Sequence, residues 1–149
     1  RPAEVSIGSD VYIGRDFHIS ARSLKIGSGV MVGPNLLIEC DNHSFNKVGV
    51  RMYDYRGERD VNPVCIEDDV WIGANVTVLP GAVVSQGCVV GACSLVNKPL
   101  PPFTICVGIP AKPIKTRFTV EQLENHLEVV GQKSLFSSVI KQWQLYNLI

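Results

Sequence analysis

Long apolar runs are absent from this sequence. No stretch approaches the about eighteen consecutive apolar residues that span a bilayer, and the opening residues lack the basic-then-apolar pattern of a secretory leader. Net charge is absent as well: fourteen Lys and Arg balance fourteen Asp and Glu, which removes the electrostatic footprint of a protein that grips a nucleic-acid backbone. Paired cysteines are missing. Cys40, Cys65, Cys88, Cys93 and Cys106 make an odd number with no C-x-x-C, so neither a disulfide framework nor a cysteine-zinc site is expected. The bland reading of these thiols is a soluble, cytoplasmic protein that keeps them reduced. Histidines are few and scattered, at His18, His43 and His126, and no metal is expected. With 149 residues, one compact domain accommodates the whole chain. The chain opens on Arg1 with its repeat pattern starting at Val5, which leaves room for native sequence ahead of it.

What is plentiful is a beat of six. Ile7, Ile13, Ile19, Ile26, Val32 and Ile38 recur at six-residue steps, with one extra residue before Ile26. Ile66, Ile72, Val78, Val84, Val90 and Val96 repeat the step without a slip. Val and Ile make up about a fifth of the chain, so twelve β-branched residues in register do not arise by chance. A second set lies two residues earlier and is apolar at every position except Ser94. Positions i and i−2 share one side of an extended strand, so each six-residue unit is a very short strand with two inward side chains, then a turn. Gly8, Gly14, Gly27, Gly33, Gly73 and Gly91 directly follow an inward residue, where a chain rounding a corner benefits from lacking a Cβ. Three units close one turn of a triangular prism, and successive turns stack as parallel strands about 4.8 Å apart. The expected fold is all-β: a parallel β-helix of about four coils, over residues 5–41 and 64–100. Ile66 should stack on Val84, Ile72 on Val90 and Val78 on Val96. Spacing does not give the handedness.

Residues 42–63 leave the repeat after the second coil, and an insertion of that length in a compact domain is usually functional or disordered. It carries Met52, Tyr53 and Tyr55. A narrow prism has no interior place for them, so packing against a neighbouring subunit is expected. Residues 101–118 are proline-rich and read as extended. Beyond them Thr119 and Gln122 have capping-box spacing before Leu123, Leu127 and Val130, and a second helix is expected across Leu135 to Leu148, with Gly131 between the two. The division is therefore a coil domain over 1–118 and a helical extension over 119–149, which either covers the open end of the prism or packs on a neighbour.

The run from Pro63 to Lys115, with VGPN before the insertion and DNHSF opening it, resembles the hexapeptide-repeat acyltransferases. That family includes galactoside and maltose acetyltransferases, serine and xenobiotic acetyltransferases and the polysaccharide O-acetyltransferases. The resemblance implies a left-handed β-helix, a homotrimer with active sites between subunits, and acetyl-CoA as co-substrate. It places the catalytic histidine at His43, the root of the insertion. His18, outward on an early coil, and His126, in the expected helix, read as surface residues.

Acetyl transfer from a thioester to an alcohol needs a base, a donor for the developing oxyanion and a slot that aligns two substrates. Imidazole suits the first role. Asp41 or Glu39 would orient it, Asp41 being favoured, although Asp41 and Asn42 also suit a plain turn. Trp71 is outward by the strand alternation and matches the family's acceptor or pantetheine tryptophan. Asn35 in VGPN matches a position beside the active site. Gly73, Ala74, Gly91, Ala92 and Asn97 match the pantetheine groove, and Lys112 and Lys115 match basic positions near the coenzyme's phosphates. The acidic sugar-binding residue of galactoside-type members has no counterpart among Ser20, Ala21, Arg22 and Ser23. Arg22 would suit an anionic acceptor instead.

The expected activity is O-acetylation of a sugar or polysaccharide precursor, without a nucleic-acid or membrane-spanning role. An amino-sugar N-acetyltransferase, a chloramphenicol-type xenobiotic acetyltransferase and a non-catalytic β-helix assembly module are the competing readings. Serine is a less suitable acceptor, since serine acetyltransferases carry a helical N-terminal domain. The related γ-type carbonic anhydrases need three converging histidines. A Cys40 nucleophile paired with His43 is conceivable, but unnecessary when thioester and alcohol are held together.

Overall fold

The computed structural model describes residues 4–20, 22–57 and 60–149. The first coil contains β1 (Glu4–Ile7), β2 (Tyr12–Ile13) and β3 (His18–Ser20), and the second contains β4 (Ser23–Ile26), β5 (Met31–Val32) and β6 (Leu37–Glu39). The insertion leaves through β7 (Asp41–Asn42) and returns through β8 (Asp60–Val61). The third coil is β9 (Val64–Ile66), β10 (Trp71–Ile72) and β11 (Thr77–Val78); the fourth is β12 (Val83–Val84), β13 (Val89–Val90) and β14 (Leu95–Val96). A fifth coil begins with Leu100, which bridges to Val84, and continues in β15 (Thr104–Gly108), which stacks on β13. The solenoid thus has about five turns, one more than the hydrophobic beat counts, because prolines hide the last one.

Each coil contributes one strand to each of three faces. The first face is β1, β4, β9, β12; the second runs β2, β5, β10, β13, β15; the third is β3, β6, β11, β14. All these pairings are parallel, and the anticipated stacks occur: Ile66 on Val84, Ile72 on Val90, Val78 on Val96. The insertion does not disturb the register. Ile26, Val32 and Ile38 stack on Ile66, Ile72 and Val78 as if the intervening segment were not there. Coils two to four bury their inward side chains in one continuous core. In the first coil Val5, Ile7 and Phe17 are about half exposed, since among the described residues β1, β2 and β3 are the end strands of their faces. Ser94, the polar exception, is buried because its Oγ accepts a hydrogen bond from the Gly108 amide at 3.1 Å.

The glycines have a different reason from the one their spacing suggests. Gly8, Gly14, Gly27, Gly33, Gly73 and Gly91 do not have positive φ; they sit where one coil presses on the next. A Cβ on Gly33 would lie 2.8 Å from the Ala74 amide nitrogen, and one on Gly73 would lie 2.6 Å from that of Ala92. The left-handed residues come two positions later. Asp10, Gly29, Asp69 and Gly87 form one such column at the edge between the first and second faces; Asp16, Asn35, Asn75 and Cys93 form another between the second and third. Asn and Asp tolerate this region because their short polar side chains bond locally.

The proline-rich segment is not simply extended. β15 pairs antiparallel with β16 (Ala111–Thr116), closing the second face with a hairpin. α1 (Val120–Val129) carries the anticipated capping box, with Gln122 N donating to Thr119 Oγ1 and Thr119 N to Gln122 Oε1. Gly131, at φ +73°, ends that helix before α2 (Phe136–Leu145). The helices cover the top of the prism through a second core of Phe103, Leu123, Leu127, Val139 and Trp143, in which Trp143 Nε1 donates to the Pro102 carbonyl at 2.8 Å. His126 belongs to this contact and is not a surface residue: its half-buried ring lies 5.8 Å from Phe103 and 4.9 Å from Phe118. No helix among the described residues is long and apolar enough to cross a membrane.

Because Ile38 is fully buried between two coils, Ile38→Ala should lower the unfolding free energy by about 2–5 kcal/mol. Lys25→Ala, an outward change on the neighbouring face, should stay within about 0.5 kcal/mol. Urea denaturation of both variants checks the inward and outward assignment.

Candidate functional site

The insertion begins at the edge between the third and first faces. β7 pairs antiparallel with β8, and the Asn62 amide donates to the Cys40 carbonyl at 3.0 Å, so the segment returns to the edge it left. Asp41, on β7, has a side chain only 8% exposed and ion-pairs with Arg22 at 3.3 Å. This pair compensates Arg22, which is therefore not the uncommitted cation that the comparison with galactoside-type members suggests. Ala21 lies outside the described residues.

Two residues on, His43 is exposed at the mouth of a cleft of about 430 Å³. Ser44, Met52, Tyr53, Tyr55, Arg56 and Gly57 complete its lining. A Cβ at Gly57 would collide with the Tyr55 phenol, so glycine there permits that ring to fold back. Lys47 Nζ lies 5.7 Å from the Tyr55 ring centroid and the Arg56 guanidinium 5.4 Å from that of Tyr53, distances at which cations are attracted to aromatic faces. Phe45, Met52 and Tyr53 remain well exposed in the single chain, the condition in which a partner surface would be favourable. Sequence reading singles out neither Ser44 nor Arg56, because an insertion outside the repeat carries no periodic signal of what it buries.

The other sequence candidates divide between places. Asn97 follows β14 on the same edge as His43, two coils higher. Asn35 stands on the edge between the second and third faces, where its Nδ2 donates to Asn75 Oδ1 at 2.8 Å. Asn75 escaped the sequence reading, although IGAN repeats the phase of VGPN. Ala74 and Ala92 flank that column; Gly33 presses on Ala74, Gly73 on Ala92 and Gly91 on Val107 where successive coils touch. Trp71 projects from the second face, 54% exposed, paired in register with Met31 below and Val89 above. Lys112 and Lys115 are exposed on β16, at the top of that face. The second face does not border the His43 edge. In one copy His43 and Asp41 stand two residues apart on one edge, while Trp71, Asn35 and the lysines lie elsewhere on the prism.

Cys40 is fully buried, and desolvation pushes its thiol above the ordinary range, outweighing backbone hydrogen bonds from Ser23, Val64 and Arg22. A nucleophilic thiolate is thereby disfavoured. Brief treatment of the folded protein with iodoacetamide at neutral pH should label exposed Cys93 first, with Cys40, Cys88 and Cys106 modified only after unfolding. Peptide mass mapping gives the order, and early labelling of Cys40 would reopen the thiol reading.

Residues 66–98 match the family model described as bacterial transferase hexapeptide (six repeats). The chain is 30% identical to the galactoside O-acetyltransferase of Escherichia coli over 125 residues, 76% of this chain and 58% of that protein. It resembles the crystal structure of a hexapeptide-repeat acetyltransferase from Vibrio cholerae with a TM-score of 0.68 and 31% identity, over 77% of this chain and 64% of that one. The Vibrio cholerae structure in complex with acetyl coenzyme A superimposes with a TM-score of 0.58 and 27% identity, over 76% and 72% of the two chains. The chain spans little more than half the length of the first curated relatives it matches. The six-residue ladder, the stacked coils and these likenesses agree: the chain is a hexapeptide-repeat protein similar to the acetyltransferases built on that repeat.

Proposed function

We propose that the protein transfers an acetyl group from acetyl-CoA to a sugar hydroxyl, with His43 as general base. The observation that carries this reading is His43 standing at the mouth of the cleft at the insertion's root, in a chain whose relatives are named acetyltransferases. The acceptor oxygen attacks the thioester carbonyl carbon as the imidazole takes its proton. The tetrahedral adduct then expels the thiolate, which receives the proton back from the imidazolium. No acyl-enzyme is needed, consistent with the buried, protonated Cys40.

Asp41, on β7 two residues before His43, acts as a positioning residue for the imidazole, while Arg22 holds its carboxylate. The small side chains of Ala74 and Ala92, with Gly73 and Gly91, allow a long pantetheine arm to approach one edge closely; Asn97 offers an amide on another. Lys112 and Lys115 attract phosphates as point charges. Trp71 and Asn35 bind substrate. These groups lie on different edges of one prism, so the reading includes a homotrimer in which the cleft of one copy faces the second face of its neighbour. The exposed Tyr12, Met31 and Trp71 of that face, in register on β2, β5 and β10, and the exposed apolar residues of the insertion support such an interface.

Thiol release from acetyl-CoA over a panel of sugars and amino sugars tests the activity. His43→Ala should reduce the best rate by about 10²- to 10⁴-fold. A variant as active as the wild type would remove His43 from the base role, and absence of thiol release with every acceptor would favour an assembly module.

A further inference from the structure

Ser44 immediately follows His43, two residues past the end of β7. The residue is only 5% exposed, and its Oγ makes no hydrogen bond among the described residues. It lines the same cleft as the imidazole. A buried hydroxyl left without a partner is unfavourable, and native structures leave few of them. Its position in a cleft wall suggests that the missing partner is a bound molecule.

The cleft also contains a cation with no carboxylate partner among the described residues. Of the five described arginines, Arg15, Arg22, Arg51 and Arg117 each ion-pair with an aspartate. Arg56 does not: its Nη1 donates to the backbone carbonyls of Tyr53 and Tyr55, and its guanidinium lies against the Tyr53 ring. Those contacts fix the planar group and leave its positive charge uncompensated among the described residues. Guanidinium presents a donor fork suited to carboxylate and phosphate oxygens. Tyr53 and Tyr55 add aromatic surface against which a sugar ring can pack.

We infer that the acceptor is an anionic sugar, its carboxylate or phosphate held by Arg56 and one of its hydroxyls hydrogen-bonded by Ser44, beside the hydroxyl that His43 deprotonates. This rests on the acetyl-transfer reading above and narrows its substrate class. Ser44 and Arg56 are specificity residues here.

The test is initial-rate thiol release from acetyl-CoA with glucose, glucuronate and glucose 6-phosphate, and with galactose and galacturonate, at fixed low ionic strength. The wild type should favour an anionic sugar over its neutral counterpart by about ten-fold or more in kcat/KM, and which anion is preferred separates carboxylate from phosphate. Arg56→Gln should collapse that preference through the acceptor KM while the KM for acetyl-CoA stays constant. Ser44→Ala should raise the acceptor KM, and Ser44→Thr should restore part of the loss. Equal use of neutral and anionic sugars would overturn the inference while leaving acetyl transfer intact, as would an Arg56→Gln effect confined to the acetyl-CoA KM. If no sugar is acetylated, calorimetric titration of the same anionic sugars decides separately. Binding that weakens in Arg56→Gln supports the anion site, and absence of binding or equal binding by the variant overturns it.

Discussion

A strand of two or three residues cannot hold itself in place, and most strands of this prism are that short. What fixes them is stacking: each coil's backbone bonds to the coils above and below, while its inward Ile and Val side chains fill a shaft too narrow for anything else. Both conditions must be met at once, since a slip of one residue would turn the aliphatic ladder outward and leave the interior polar. The glycines at coil contacts obey the same constraint. At Gly33 and Gly73 a methyl group would strike the backbone of the next coil, so inter-coil spacing rather than turn geometry selects the residue.

This rigidity explains how a long insertion can be carried without cost to the core. Ile26 stacks on Ile66 and Ile38 on Val78 across it, so the second and third coils register independently of what leaves the edge between them. The insertion is free to present chemistry, and it is anchored at its root by the β7 and β8 pairing, the Asn62 bond to Cys40 and the ion pair of Asp41 with Arg22. His43 stands one residue past that anchor. A base needs that combination: a fixed backbone beneath a side chain that reaches solvent and substrate.

The coils were legible because their period is a direct record of which side chains face inward. The same pattern located the insertion by its interruption, and the spacing of Thr119 and Gln122 located the first helix. Other features left no such record. Asp10, Asp16, Asn35, Asp69 and Asn75 mark the left-handed corners two residues after the glycine position, a signal present in the sequence but masked by the more conspicuous glycines. The β15 and β16 hairpin is hidden by prolines that do not prevent pairing at a sheet edge. The half-burial of His126 depends on Phe103, distant in sequence, and the burial of Ser44 depends on how an aperiodic segment folds back.

The distribution of candidate groups has the largest functional consequence. His43 sits on one edge, whereas Trp71 projects from the face that does not border it, so a complete site on the proposed reading takes groups from two copies. Subunit complementation addresses this most directly: His43→Ala and Trp71→Ala chains, each of low activity alone, are unfolded together, refolded as a mixture and assayed for thiol release. Shared sites predict activity in the mixture well above that of either parent, because some interfaces then pair an intact His43 with an intact Trp71. Activity no greater than the average of the two parents would contradict a site built between copies.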